Sequence, residues 1–184
     1  MKRFSSFIYH KVLGWKIIGS FKAKTIRKCV IVVVPHTSWH DFYIGLLIRQ
    51  IENVKISFLG KKELFKWPLG WYLNKVGGIP LDRTPGQNKV EAIAELFKQR
   101  EEMRLSLAPE GTRKKVKEWK TGFYYIAIVA NVPIIMVTFD FGKKQNKISE
   151  PFYPTGNIEK DIAFMYSFFE GVKGKVPEYS FDSN

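Results

Sequence analysis

Between His36 and Asp41 the sequence reads HTSWHD: two imidazoles, two hydroxyls and a carboxylate within six residues. The cluster follows directly on a run of valines, where a strand should give way to a turn and a helix. In that geometry the Asp41 carboxylate can fold back onto the His36 ring. A carboxylate so placed fixes the ring's tautomer and stabilises the imidazolium that forms when the ring takes a proton. A neutral histidine held this way is a general base for a hydroxyl near neutral pH. The same residues also suit a plain helix start, with Thr37 or Ser38 as the cap and Asp41 favourable in the first turn. Ser38 is a poor nucleophile candidate, because it lacks a Gly-x-Ser-x-Gly elbow and has bulky Trp39 and His40 beside it. Cys29 opens a buried strand and reads as a small core residue. Direct attack by a substrate hydroxyl, without a covalent enzyme intermediate, is the chemistry these types favour.

Two arginines stand in separate loops. Arg83 ends the stretch GGIPLDR after a short apolar run, and Arg113 ends PEGTR after another. Each alone reads as a solvated surface charge. Together with the histidine motif they can clamp a phosphate or other anion through bidentate contacts. Gly111, between the preceding strand and Arg113, would let the backbone approach a ligand closely.

The elements that must position these groups follow from the apolar pattern. Strand-like runs occupy residues 30–34, 54–59, 78–81, 105–108 and 134–139. Helical patterns lie at 41–51, 88–103, 122–130 and 158–169. Alternation of this kind predicts a single α/β domain with a largely parallel or mixed sheet flanked by helices. In such sheets reactive groups gather beyond the carboxyl ends of the strands, and all three polar motifs sit there. Residues 121–139 carry no charge, but Asn131-Val132-Pro133 interrupts them, so they predict a buried helix and then a buried strand, not a membrane span.

At 184 residues with a net charge of +13, the chain needs an anionic partner or surface. The first 28 residues hold eight lysines and arginines and no acid, interleaved with Phe4, Phe7, Ile8, Trp15 and Ile18. A basic amphipathic amino-terminal segment (residues 1–28), with a basic helix lying on an anionic membrane surface, is expected ahead of a catalytic domain at 29–184. The competing expectation is that the same apolar face packs into the protein. One cysteine and the lack of a secretory signal suit the cytoplasm.

The ordered blocks resemble the glycerolipid acyltransferases, the PlsC-like enzymes that acylate glycerol-3-phosphate or lysophosphatidate, and a small branch of them. His36 to Asp41 matches the His-x4-Asp motif, residues 78–83 match a block ending in arginine, and residues 109–113 match Pro-Glu-Gly-Thr-Arg. Val132-Pro133-Ile134 and the Lys-x-Gly at Lys120 match further segments, and the resemblance covers about residues 30–141. The chain departs from the pattern at Pro35, Pro80 and Ala108. The resemblance implies His36 as base and Asp41 as its orienter. It implies that Arg83, Arg113 and Lys61 hold the acceptor's anionic group, with Glu110, Gly111 and Thr112 shaping the pocket. Acyl-CoA or acyl carrier protein is the implied co-substrate, with no metal or other cofactor. Expected partners are a lipid acceptor and an anionic membrane surface, on its cytoplasmic side. Two rivals remain at this level: a thioester or lipid hydrolase on the same scaffold, and a non-catalytic anionic-lipid or nucleic-acid binding module. The latter lacks any nucleic-acid motif, so nucleic acid is not expected.

Overall fold

The chain begins with helix α1 (Lys2–Phe7), continues through a π-helical turn (Ile8–Val12), and then forms a short strand β1 (Lys16–Ile18). Strand β2 (Lys28–Val34) and helix α2 (His40–Ile51) carry the histidine motif between them. Strand β3 (Ser57–Lys61), a 3-10 turn (Lys62–Phe65), helix α3 (Leu69–Lys75) and strand β4 (Gly78–Leu81) follow. The remainder comprises α4 (Lys89–Gln99), β5 (Met103–Leu107), α5 (Gly122–Ala130), β6 (Ile134–Thr138), β7 (Gln145–Lys147), α6 (Ile158–Phe169) and a 3-10 turn (Pro177–Tyr179). This computed structural model describes residues 2–22, 24–81 and 89–181.

Five strands form one parallel sheet in the order β4-β3-β5-β2-β6. Strand side chains alternate between faces, and β2 uses both. Val30, Val32 and Val34 enter a core shared with α4, α5 and α6, while Cys29 and Ile31 enter one shared with the π-helical turn and α2. Both cores are buried, which is why these strands read as continuous β-branched runs. Burial pushes the Cys29 thiol up to about 12, so it is an inert packing group.

The topology also locates the site. From β2 the chain crosses through α2 to β3 on one side of β5, and from β5 it crosses through α5 to β6 on the other side of β2. The two helices cover opposite faces. Adjacent strands whose connections leave in opposite directions open a crevice beyond their carboxyl ends. Here that crevice lies between β2 and β5.

The strand and helix positions agree with the pattern to within a few residues, with two differences. The fourth helix stops at Gln99, because Met103 and Arg104 join β5 and pair with Lys28 and Cys29 of β2. The expected amino-terminal helix is present, but it ends by Val12, short of Trp15 and Ile18. Beyond it, Lys16, Ile17 and Ile18 pair in parallel with Gln145, Asn146 and Lys147, and strand pairing there replaces further helix. Tyr9, Trp15 and Phe21 are buried in the α2-side core, and the Tyr9 hydroxyl donates to Asn146 Oδ1 at 2.6 Å. Trp15 and Ile18 therefore do not share a helical face with Phe4 and Phe7, which remain exposed.

Candidate active site

At the end of β2 the chain turns, and the His36 Nδ1 lies 2.9 Å from Asp41 Oδ2. A carboxylate only accepts, so Nδ1 carries the hydrogen and Nε2 is left as the basic nitrogen. The Ser38 backbone N–H donates to the same carboxylate oxygen at 3.0 Å. Asp41 is buried in the first turn of α2, and its Oδ1 has no hydrogen-bond partner among the described residues. The His36 side chain is 27% exposed. One imidazole nitrogen is thus held by a buried carboxylate while the ring stays open to solvent and to a cavity.

The capping expectation takes a different form. Trp39 occupies the cap position of α2 without a side-chain hydrogen bond. The Thr37 hydroxyl instead accepts from the Val176 N–H at 3.2 Å, tying the carboxyl-terminal segment across the loop. Ser38 Oγ lies 2.8 Å from His40 Nδ1. The second histidine is therefore engaged by serine, and its ring packs at a tilt against Trp39.

Strand pairing brings the second motif to the first. Val32 is in register with Leu107, so a few residues later the two loops abut. The His36 backbone N–H donates to Glu110 Oε2 at 2.7 Å. Glu110 is 3% exposed. Burial pushes its carboxyl up to about 7; the His36 N–H bond and the His36 charge oppose the rise and the Asp41 charge adds to it. Its place is behind His36, as a brace for the loop backbone, and it does not line the cavity.

The cavity encloses about 860 Å³, within the size range of small-molecule sites, roughly 300–1,000 Å³. His36, Asp41, Arg49, Lys89, Ser106, Arg113 and Lys120 contribute its polar wall, and the rest is largely aliphatic and aromatic, including Ile31, Phe42, Phe58 and Leu107. Gly111 takes a left-handed φ of +66°, and a Cβ there would fall 2.9 Å from Lys120 Nζ. The lysine backbone N–H also donates to the Pro109 carbonyl at 2.9 Å, which fixes the Lys-x-Gly segment to the Pro-Glu-Gly loop. Lys120 is a cavity cation the site assignment from sequence left out; its position two residues before Gly122 was the available signal.

The remaining sequence candidates are placed as follows. Arg113 and Gly111 line the cavity. Thr112 is exposed outside it, and its hydroxyl accepts from the Lys114 N–H at 3.3 Å. Lys61 ends β3 on the exposed side, while its neighbours Leu59, Gly60 and Leu64 line the cavity. Arg83 lies outside the described residues. Among the described residues there is no group of three histidine, cysteine or acidic side chains able to hold a metal ion, and no helix is long and apolar enough to cross a membrane.

The chain is similar to known proteins in the same region. Human 1-acyl-sn-glycerol-3-phosphate acyltransferase beta is 26% identical over 163 residues, a match covering 85% of this chain and 57% of that relative. The chain thus spans little more than half the length of that protein. The crystal structure of the 1-acyl-sn-glycerophosphate (LPA) acyltransferase PlsC from Thermotoga maritima superimposes with a TM-score of 0.63 at 22% identity, covering 91% of this chain and 74% of that one. It shares the fold. The sequence profile described as Acyltransferase matches residues 18–140, from β1 through β6 with both site loops included, and the chain belongs to that family.

Proposed function

We propose that the protein transfers a fatty acyl group from a thioester, acyl-CoA or acyl carrier protein, to the hydroxyl of a lysophosphatidate-like acceptor. One observation carries this reading. His36 is oriented by Asp41 at 2.9 Å and borders an apolar cavity that also holds Arg113 and Lys120. Nε2 of His36 removes the acceptor hydroxyl proton as the oxygen attacks the thioester carbonyl. The tetrahedral intermediate collapses with loss of thiolate, which takes up the proton held on the imidazolium. Asp41 keeps Nδ1–H in place and stabilises the cationic ring during that interval. Arg113 and Lys120 offer charge-assisted contacts to the acceptor phosphate, and the apolar wall accommodates acyl chain. Glycerol-3-phosphate is the alternative acceptor with the same anionic group.

A lipid acceptor places the working protein at a membrane. The exposed Phe4, Phe7 and Val12, beside Lys2, Arg3 and Lys11, supply a basic apolar face for peripheral contact with an anionic leaflet on its cytoplasmic side. Thioester turnover with and without lysophosphatidate tests the assignment. The wild-type protein should release thiol and form diacyl product together, and only in the presence of acceptor. Thiol release that is independent of acceptor would make the protein a hydrolase.

A further inference from the structure

Between β3 and β4 the chain exposes Leu64, Trp67, Leu69, Trp71 and Tyr72, with Trp67 at 89% and Trp71 at 65%. Single exposed apolar residues are ordinary, but a contiguous cluster of large ones marks a surface that meets another phase or partner. Its tryptophans have no way inward. The space beneath it is filled by Phe65, whose ring lies against Gly60 and Gly78. The Phe65 carbonyl runs so close to Gly70 that a Cβ there would fall 2.0 Å from it. The Gly70 N–H donates to the Lys66 carbonyl at 2.7 Å and closes the turn. Packing under the turn therefore holds the two tryptophans outward.

The charges around the cluster select its partner. Lys61, Lys62, Lys66 and Lys75 lie in this segment, and Glu63 is the single acid between residues 57 and 75. The Lys75 ammonium stands 4.9 Å from the Trp71 ring centroid. Tryptophan and tyrosine among snorkelling lysines is the composition of a membrane–water boundary. Two copies of the chain meeting through this patch would set lysines against lysines. An anionic bilayer meets both the apolar and the cationic parts. On its inner side the same segment contributes Leu64 and Leu73 to the cavity wall.

We propose that residues 61–75 form a docking surface for an anionic bilayer, distinct from the amino-terminal segment. Trp67 and Trp71 enter the headgroup boundary and the lysines lie over the anionic headgroups. The cavity wall is then the other side of the docked segment, so an acceptor can reach His36 with its tail still in lipid. That last step rests on the proposed lipid acceptor; the docking itself does not. Both aromatic segments are fastened to the final turns of α2, where the Ser5 hydroxyl donates to Gln50 Oε1 and Arg49 Nη1 donates to the Val76 carbonyl.

The test compares the full-length wild type with W67S/W71S and F4S/F7S. Sedimentation is measured with vesicles of phosphatidylglycerol mixed with phosphatidylcholine, and with phosphatidylcholine alone. W67S/W71S should bind the anionic vesicles about tenfold or more weakly, as expected for losing two interfacial anchors. Its melting temperature and its turnover of a short-chain, water-soluble acceptor should be unchanged, while turnover of a bilayer-resident acceptor falls. Wild-type binding should weaken with salt. Equal binding by wild type and W67S/W71S, a loss confined to F4S/F7S, or equal binding to neutral vesicles would each overturn the proposal. So would a wild-type dimer that W67S/W71S converts to monomer without any vesicle binding. If no acyl transfer occurs on either acceptor yet W67S/W71S still loses vesicle binding, the functional reading fails and the docking surface stands.

Discussion

Glu110 offers a prediction in which stability and activity should move in opposite directions. Its carboxyl is raised from the usual 4.5 to about 7, chiefly by burial. Between those two values the unfolded chain has lost the proton while the folded chain retains it, so stability falls as pH rises through that window and is level above it. A displacement of that size corresponds to about 3 kcal/mol. E110Q keeps the side-chain shape and an oxygen to accept the His36 N–H, and it cannot ionise. The variant should therefore match the wild type at about pH 4.5 and exceed it by up to about 3 kcal/mol at pH 8. For a chain of this size each kcal/mol moves the melting temperature by roughly 2–4 °C. Melts of both proteins at half-unit intervals from about pH 4.5 to 8 read the difference directly. E110A should behave otherwise, because it leaves the buried His36 N–H without an acceptor, at a cost of about 1–3 kcal/mol throughout.

Activity should show the converse. An ionised Glu110 near the imidazolium favours the charged ring that forms as His36 takes the proton, so E110Q should have a lower kcat at pH 8 despite the higher melting temperature. An E110Q that melts below the wild type at pH 8, or that differs by the same amount at every pH, would refute the reasoning. Either outcome would mean that the His36 interactions outweigh burial and that the carboxyl titrates in its ordinary range.

Other expectations are simpler. His36→Ala should reduce acyl transfer by roughly two to four orders of magnitude, and Asp41→Asn should be severe too, both with near-normal circular dichroism; His40→Ala should be mild in the same assay. Arg113→Ala and Lys120→Ala should raise the acceptor KM with little change in the donor KM, each losing about 1.5–3 kcal/mol of charge-assisted contact, and an acceptor without phosphate should be indifferent to both. Trp15→Ala should lower stability by about 3–5 kcal/mol, the usual cost of emptying a buried aromatic site, as read by denaturant melts; a change below about 1 kcal/mol would mean that the amino-terminal segment is not part of the core.

The two ends of the scale of legibility are β2 and Glu110. Strand β2 could be read from sequence because both of its faces are buried, which forces an unbroken β-branched run. The first residues of β5 could not. Arg104 is fully buried there, with its guanidinium donating to Glu102 and to the Ile26 carbonyl. A charge satisfied inside the fold, by a neighbouring acid and a carbonyl far along the chain, looks in sequence like the solvated face of a helix, and the helical pattern therefore runs on to Met103. The amino-terminal segment misleads for a related reason. Its aromatics fall at helical spacing, but Trp15 and Phe21 are placed by the α2-side core, a tertiary demand that periodicity does not carry.

The site divides along the same line. His36 and Asp41 are close in sequence, and their pairing needs only a turn, so spacing alone was enough to suggest it. Glu110 is 74 residues from His36, and what joins them is the adjacency of β2 and β5, which no local pattern specifies. For that reason the resemblance implies only that Glu110 helps shape the pocket with Gly111 and Thr112, and its place behind the proposed base comes from the fold. The distinction has a chemical consequence. A carboxylate in the pocket wall would repel an anionic acceptor; behind the loop it holds the His36 backbone in place and adds negative charge near the imidazolium. Strand order thus turns an apparent mismatch, an acid in the middle of a proposed anion-binding motif, into a brace for the backbone of the proposed base.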